Sequence, residues 1–163
     1  MVTVRTMTPA DVTPVAEIRV AGWRAAYAGL LPASFLERMS AEENAERLRG
    51  RLDRAAGSGA DLVAVDGTGA VAGWACVGPA HRGGELYALY VRPDRIGTGV
   101  GRALLDAAHA HALAHGLDPL RLWVLAGNTR ARRFYERAGY VADGAVRSED
   151  YDQVAVPEVR YCR

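Results

Sequence analysis

Between Val91 and Leu105 the chain reads VRPDRIGTGVGRALL, which places Gly97, Gly99 and Gly101 at alternate positions between a strand-like run and a helix-like run. Each glycine costs backbone entropy, so the junction must gain something from the freedom it keeps. Where a strand enters a helix, the first amide N–H groups lack partners and carry the positive end of the helix dipole, an arrangement suited to a phosphate. Glycines let the backbone come close to it. The dinucleotide fingerprint G-x-G-x-x-G fails on spacing, because its last position falls on Arg102 or Leu104. The phosphate loop of nucleotide triphosphatases needs a lysine, and none of the 20 basic residues is one. Schiff-base chemistry is excluded on the same ground. A pyrophosphate cradle of another kind remains.

Other reactive side chains are sparse. Cys76 and Cys162, in apolar strand-like runs, are too few for a secreted disulfide framework and have no histidine at a local spacing. They read as reduced thiols in a cytoplasmic protein, and a covalent cysteine intermediate is not expected. His111 and His115 can share a helix face, but His109 points elsewhere and no carboxylate completes a metal site. His115, beside Gly116, simply complements a helix C-terminus.

The elements that must position these residues follow from pattern and punctuation. TVRT opens as a strand, and Thr8-Pro9-Ala10-Asp11 caps a helix running to about Tyr27. A second helical region follows GLLP, with Ser40-Ala41-Glu42-Glu43 as a capping box, and runs until Gly57-Ser58-Gly59. DLVAVD, the turn GTG and AVAGWACVG read as a hairpin. GELYALYV is a third strand of the series, followed by a helix from about Gly99 to His115 that Gly116 ends. LRLWVL is a buried strand. Asn128 caps a helix whose Ala131, Phe134, Tyr135 and Ala138 share one face, with Gly139 as its stop. YVADGAV and VPEVRYC close the chain as strands, with the polar VRSEDYDQV expected to contribute the loop between them. The order β-α-α-β-β-β-α-β-α-β-β implies one mixed α/β domain over 1–163, with a single parallel crossover from GELYALYV to LRLWVL.

Net charge is +1, with no long block of one sign, so the footprint of a nucleic-acid-binding protein is missing. No apolar run approaches the roughly 18 residues of a membrane span, and the N-terminal stretch has no charged-then-apolar signal segment.

Two sequence blocks resemble those of the GNAT superfamily of N-acetyltransferases. Its acetyl-CoA motif, Q/R-x-x-G-x-G/A, is matched by Ile96-Gly97-Thr98-Gly99-Val100-Gly101, with Ile96 at the Q/R position and Arg95 just before it. The later pattern N-x-x-A-x-x-F-Y-x-x-x-G-[FY] is filled without a gap by Asn128, Ala131, Phe134, Tyr135, Gly139 and Tyr140. Together, in this order and across a predicted strand, they specify the superfamily far better than either does alone.

The resemblance implies an α+β fold with a mostly antiparallel sheet, helices on both faces, and acetyl-CoA as co-substrate without a metal. It implies that the amides from Ile96 to Gly101 hold the pyrophosphate. The Ile96 side chain lacks what a Gln or Arg adds, so weaker CoA binding is expected. The exposed edge of the strand at Leu89, Tyr90 and Val91 would take the pantetheine arm as an extra strand does, and Asn128 would meet the same arm. Tyr135 matches the family's general acid, which protonates the departing thiolate; the alternative is a core tyrosine. Glu85 resembles the glutamate base of some lysine-acetylating members, against the alternative of an exposed strand-end acid with water as the proton acceptor. Arg102, like Arg95, Arg132 and Arg133, could meet CoA phosphates or be a solvated helix charge.

The acceptor side is implied to come from the first two helices, where Trp23 and Tyr27 either wall an amine site or belong to the core. The acceptor could be a small metabolite, an antibiotic, a peptide N-terminus or a protein lysine, and homodimers are frequent in the family. A non-catalytic acyl-CoA sensor would share the donor half, although retention of Tyr135 argues against it. A transfer-RNA-modifying toxin is disfavoured by the near-zero net charge.

Overall fold

The computed structural model describes residues 1–53 and 57–163. Seven strands form one sheet in the order β1-β2-β3-β4-β5-β7-β6. They are β1 (Val2–Thr6), β2 (Ala60–Asp66), β3 (Val71–Pro79), β4 (Gly84–Val91), β5 (Leu120–Leu125), β6 (Val141–Tyr151) and β7 (Val154–Cys162). All pairings are antiparallel except β4 with β5, the expected crossover.

Between β1 and β2 lie α1 (Val12–Ala26), α2 (Ala33–Arg38) and α3 (Ala41–Asp53); α4 (Val100–Ala114) links β4 to β5, and α5 (Thr129–Arg137) follows β5. The second helical region is thus two helices. Met39 is extended, which breaks the run, and Ser40 Oγ accepts the Glu43 amide at 3.2 Å to start α3. The predicted end of that helix at 54–56 lies outside the described residues.

The sheet divides two cores. On one face, Leu104, Leu105 and Ala108 of α4 pack with Leu86, Leu120, Leu122, Tyr135 and Tyr140. On the other, Val12, Val15 and Ile18 of α1 and Leu48 of α3 pack on Val63 and Trp74. A third cluster joins Leu31, Leu36, Leu125 and Val156 with the partly buried Trp23, Tyr27, Phe35 and Tyr151.

The expected loop over VRSEDYDQV is instead strand. β6 runs to Tyr151, pairs with β7 as far as Tyr151↔Val154, and turns on Asp152 and Gln153, both at positive φ. Strand β6 is exposed along nearly its whole length, so the alternation that marks a half-buried strand is missing.

Candidate active site

β4 and β5 touch only where Gly84 faces Leu120 and Glu85 faces Arg121; beyond these residues the strands part. From Leu86 onward the edge of β4 towards β5 has no strand partner, while its other edge stays paired to β3 as far as Val91↔Gly73. A sheet opened in this way offers main-chain donors and acceptors to an extended ligand. Leu89, Tyr90 and Val91 all lie on the open stretch.

A register shift sharpens the arrangement. Cys76 faces Ala88 and Val77 faces Leu86, so Tyr87 is the extra residue of a β-bulge. The bulge reverses the alternation. Leu86, Leu89 and Val91 pack towards α4, whereas Ala88 and Tyr90 join the α1 face, where the indole N–H of Trp23 donates to Tyr90 Oη at 2.7 Å.

At the β4–α4 junction, Gly97 has φ +80° and Gly99, the N-cap of α4, has φ +94°. A β-carbon at either would meet nothing within 4 Å, so the left-handed backbone, not crowding, calls for glycine. The amides of Ile96 and Thr98 turn inward, to the carbonyls of Pro93 at 3.4 Å and Arg95 at 3.3 Å. This leaves the Gly97, Gly99 and first-turn amides of α4, including Val100 and Gly101, as the open donors among the described residues. A β-carbon at Gly101 would lie 3.4 Å from the Phe134 ring, an ordinary packing distance, so neither crowding nor a left-handed backbone demands glycine there.

The neighbouring arginines divide. Arg95 pairs with Asp66 at 2.9 Å. Hydrogen bonds from Thr68 and Ala70, together with Arg95, hold the Asp66 carboxyl down at about 2. Arg132 donates to Tyr161 Oη and to the Ala126 carbonyl. Arg102 is half exposed, with only an exposed Asp106 beside it at 3.0 Å.

Asn128 caps α5, its Oδ1 accepting the Ala131 amide at 3.3 Å. Tyr135, on the buried face of α5, sits 5.6 Å ring to ring from Tyr140, and burial raises its phenol above the ordinary value, so it stays protonated at neutral pH.

On the α1 face, a cleft of about 460 Å³ runs from α3 across β3 and β4 to the β6–β7 hairpin. Glu85, Trp23 and Tyr27 all line it, as do Tyr90 and Cys76. Burial pushes the Glu85 carboxyl up, and Arg147 partly offsets this. Burial, with Asp61 nearby, pushes the Cys76 thiol up to about 12. Trp23 packs edge-on against Tyr27 at 5.0 Å and against Tyr151 at 6.2 Å, and Phe35 meets Tyr151 at 4.9 Å.

Three groups of lining residues, Arg19 excepted, carried no signal in the sequence. Arg19, Asn44 and Arg51 come from the α1–α3 wall; Trp123 from β5; and Arg147, Tyr151 and Glu158 from the hairpin. Glu158 is buried at 8% exposure and takes Arg147 at 2.9 Å, while the Arg147 guanidinium lies 4.3 Å from the Trp123 ring centre. Only Arg19 had a local hint, standing four residues before Trp23 on the same helical stripe. The histidines sit apart from the cleft: His111 and His115 stack at 4.0 Å, and His109 meets Tyr140 Oη.

A parallel strand pair that parts beside a glycine-rich helix start, over a cleft lined by aromatic rings and carboxylates, is the architecture of a coenzyme-A-dependent acyl transferase. The chain belongs to the GNAT acetyltransferases: the model of the Acetyltransferase (GNAT) family matches residues 22–140. It is 32% identical over 133 residues to the uncharacterized N-acetyltransferase YuaI of Bacillus subtilis, covering 78% of this chain and 74% of YuaI. It is 43% identical over 83 residues to the mycothiol acetyltransferase of Propionibacterium freudenreichii, but spans only 27% of that protein and 48% of itself in the match. Among solved structures, the PaiA N-acetyltransferase of Thermoplasma acidophilum in complex with coenzyme A shares the fold with a TM-score of 0.74 at 20% identity, over 98% of each chain. No helix among the described residues is long and apolar enough to cross a membrane.

Proposed function

We propose that this GNAT enzyme moves the acetyl group of acetyl-CoA directly to an amine that enters through the α1-side cleft, with both substrates bound at once. The observation that carries this reading is the parting of β4 and β5 immediately beyond Glu85 and Arg121, next to the open amides of the Gly97–Gly101 junction. The residues present fit the co-substrate: the cradle is open above both left-handed glycines, and the β4 edge is free. The solved PaiA enzyme of the same fold is described in complex with coenzyme A.

When bound, the thioester supplies an activated acyl carbon and a thiolate leaving group. The main chain of Leu89–Val91 orients the arm and polarises the carbonyl, and Asn128 meets the arm from the start of α5. Arg102, exposed in the first turn of α4, meets a phosphate of the coenzyme. Glu85, directly or through water, takes the proton of the attacking amine; its raised carboxyl suits a base better than an ordinary one does. The Tyr135 phenol, protonated across the physiological range, donates to the departing sulfur. A relay through Cys76 is disfavoured, because a thiol held near 12 supplies almost no thiolate at neutral pH.

Thiol release from acetyl-CoA, followed with a panel of amines, tests the reading. Amine-dependent release is the expected outcome. Coenzyme binding without release for any amine would leave only a sensor on this fold.

A further inference from the structure

The two ends of the cleft differ in charge. At the end above β3 stand Arg19 from α1 and Arg47 and Arg51 from α3; at the other stand Glu85 and Glu158. Glu158 is already neutralised by Arg147, which leaves Glu85 as the acid facing the open space there. The arginine end is not balanced in the same way. Arg19 lies over the Trp23 ring at 5.3 Å and donates through Nη1 to the carboxamide oxygen of the buried Asn44 at 2.7 Å, and it meets no carboxylate among the described residues. Arg51 pairs with Asp61 and lies over Trp74 at 5.5 Å, yet its Nε is buried without an acceptor among the described residues. Arg47, at the rim, is 72% exposed with only a distant Glu43 at 3.9 Å.

A guanidinium stays charged at any physiological pH, and its fork of donors matches a carboxylate. Arg51 Nε itself is closed to a ligand, but the side chain is 43% exposed, so an anion in the cleft can meet its terminal nitrogens. A simple cationic amine gains nothing at this end, where Arg19 meets no carboxylate among the described residues and Arg47 only a distant one, while the charge of Arg51 is offset by Asp61.

We infer that the acceptor is a small amino acid-like molecule, bearing a carboxylate that docks on Arg19 and Arg51 while its amine reaches towards Glu85. This rests on the acetyl-transfer reading above and adds the substrate class to it. Trp74, under Arg51, faces Tyr90, whereas Glu85 faces Gly78 four residues further along β3, roughly 13 Å at the strand rise. An acceptor with several bonds between its amine and its carboxylate, met by a flexible arginine, spans that distance.

Steady-state kinetics on matched acceptors test it: α-, β-, γ- and ε-amino acids, each against its carboxamide and its decarboxylated amine. The expected result is a kcat/KM at least tenfold higher for the acid than for either partner at the best chain length, expressed mainly in KM. Arg19→Gln removes most of that preference, Arg19→Lys restores part of it, and both keep the wild-type affinity for acetyl-CoA by calorimetry. Arg47→Gln, at an exposed site, gives a smaller loss of the same sign and covers the case in which Arg19 variants fold poorly. Carboxamides or decarboxylated amines used as well as the acids, or a preference that survives Arg19→Gln, would overturn the inference while leaving acetyl transfer intact. Failure of the broader reading looks different: no heat with acetyl-CoA and no thiol release from any acceptor.

Discussion

The segment from β4 through α5 leaves main chain open, whereas the cleft opposite is lined by side chains drawn from α1, α3, β3, β5 and the β6–β7 hairpin. In the first region a run of about 50 residues supplies the open strand edge, the left-handed glycines and the capped helix. In the second, Trp23 meets Tyr151, and Ser34 donates to Asp152 at 2.6 Å across 118 residues of sequence. The lesson is one of encoding. Backbone geometry is written locally, in glycines and caps, and tolerates nearly any side chain around it. A wall of side chains is written nowhere locally, and it can change one residue at a time.

Variants can break that division or sharpen it. The largest effect belongs to Tyr135→Phe, which removes the proton donor and little packing: kcat falls by about a hundredfold or more, while acetyl-CoA affinity measured by calorimetry stays put. Full activity in this variant would return Tyr135 to the core. Next comes Gly99→Val. A β-branched residue at φ +94° costs about 1–2 kcal/mol; the free turn relaxes to relieve it and must be strained again on binding, so the dissociation constant for acetyl-CoA rises by roughly 5- to 30-fold with acceptor preference unchanged. An altered acceptor profile in that variant would show the two regions to be coupled.

Glu85→Gln acts at their boundary. Burial raises the Glu85 carboxyl, so the base is lost to protonation earlier as pH falls and the wild-type acid limb lies above the ordinary carboxylate range. Profiles taken with a weakly basic amine, whose own titration does not mask the limb, show it disappear in the variant along with about tenfold in rate. An unmoved limb would assign proton removal to water. The smallest effect is a gain. Ile96→Arg places the polar side chain that the family pattern carries at an exposed position beside the cradle, and it tightens acetyl-CoA binding by about two- to fivefold in low salt. No change would mean that the open amides alone set the affinity.

The local structure from β4 to α5 was legible from sequence for the reason given above: alternate glycines and an asparagine cap each carry their physics within a few residues. Even there, the amides of Ile96 and Thr98 proved to be engaged with Pro93 and Arg95, a detail of turn geometry that residue types do not encode. The bulge at Tyr87 was equally silent. It places Ala88 and Tyr90 on the α1 face and Leu86, Leu89 and Val91 on the other, an inversion that strict alternation along GELYALYV does not anticipate. The second half of β6 was read as loop because solvent bathes both its faces, and the break between α2 and α3 went unmarked because Met39 leaves the helix without a proline or glycine.

The tip of the β6–β7 hairpin has a mechanical role. Asp152 holds both Ser34 and Arg38, and Tyr151 beside it wedges among Trp23 and Phe35, so the farthest-separated stretches of chain are latched into a single block. A displacement of one ring is therefore felt by the others through their edge-on contacts.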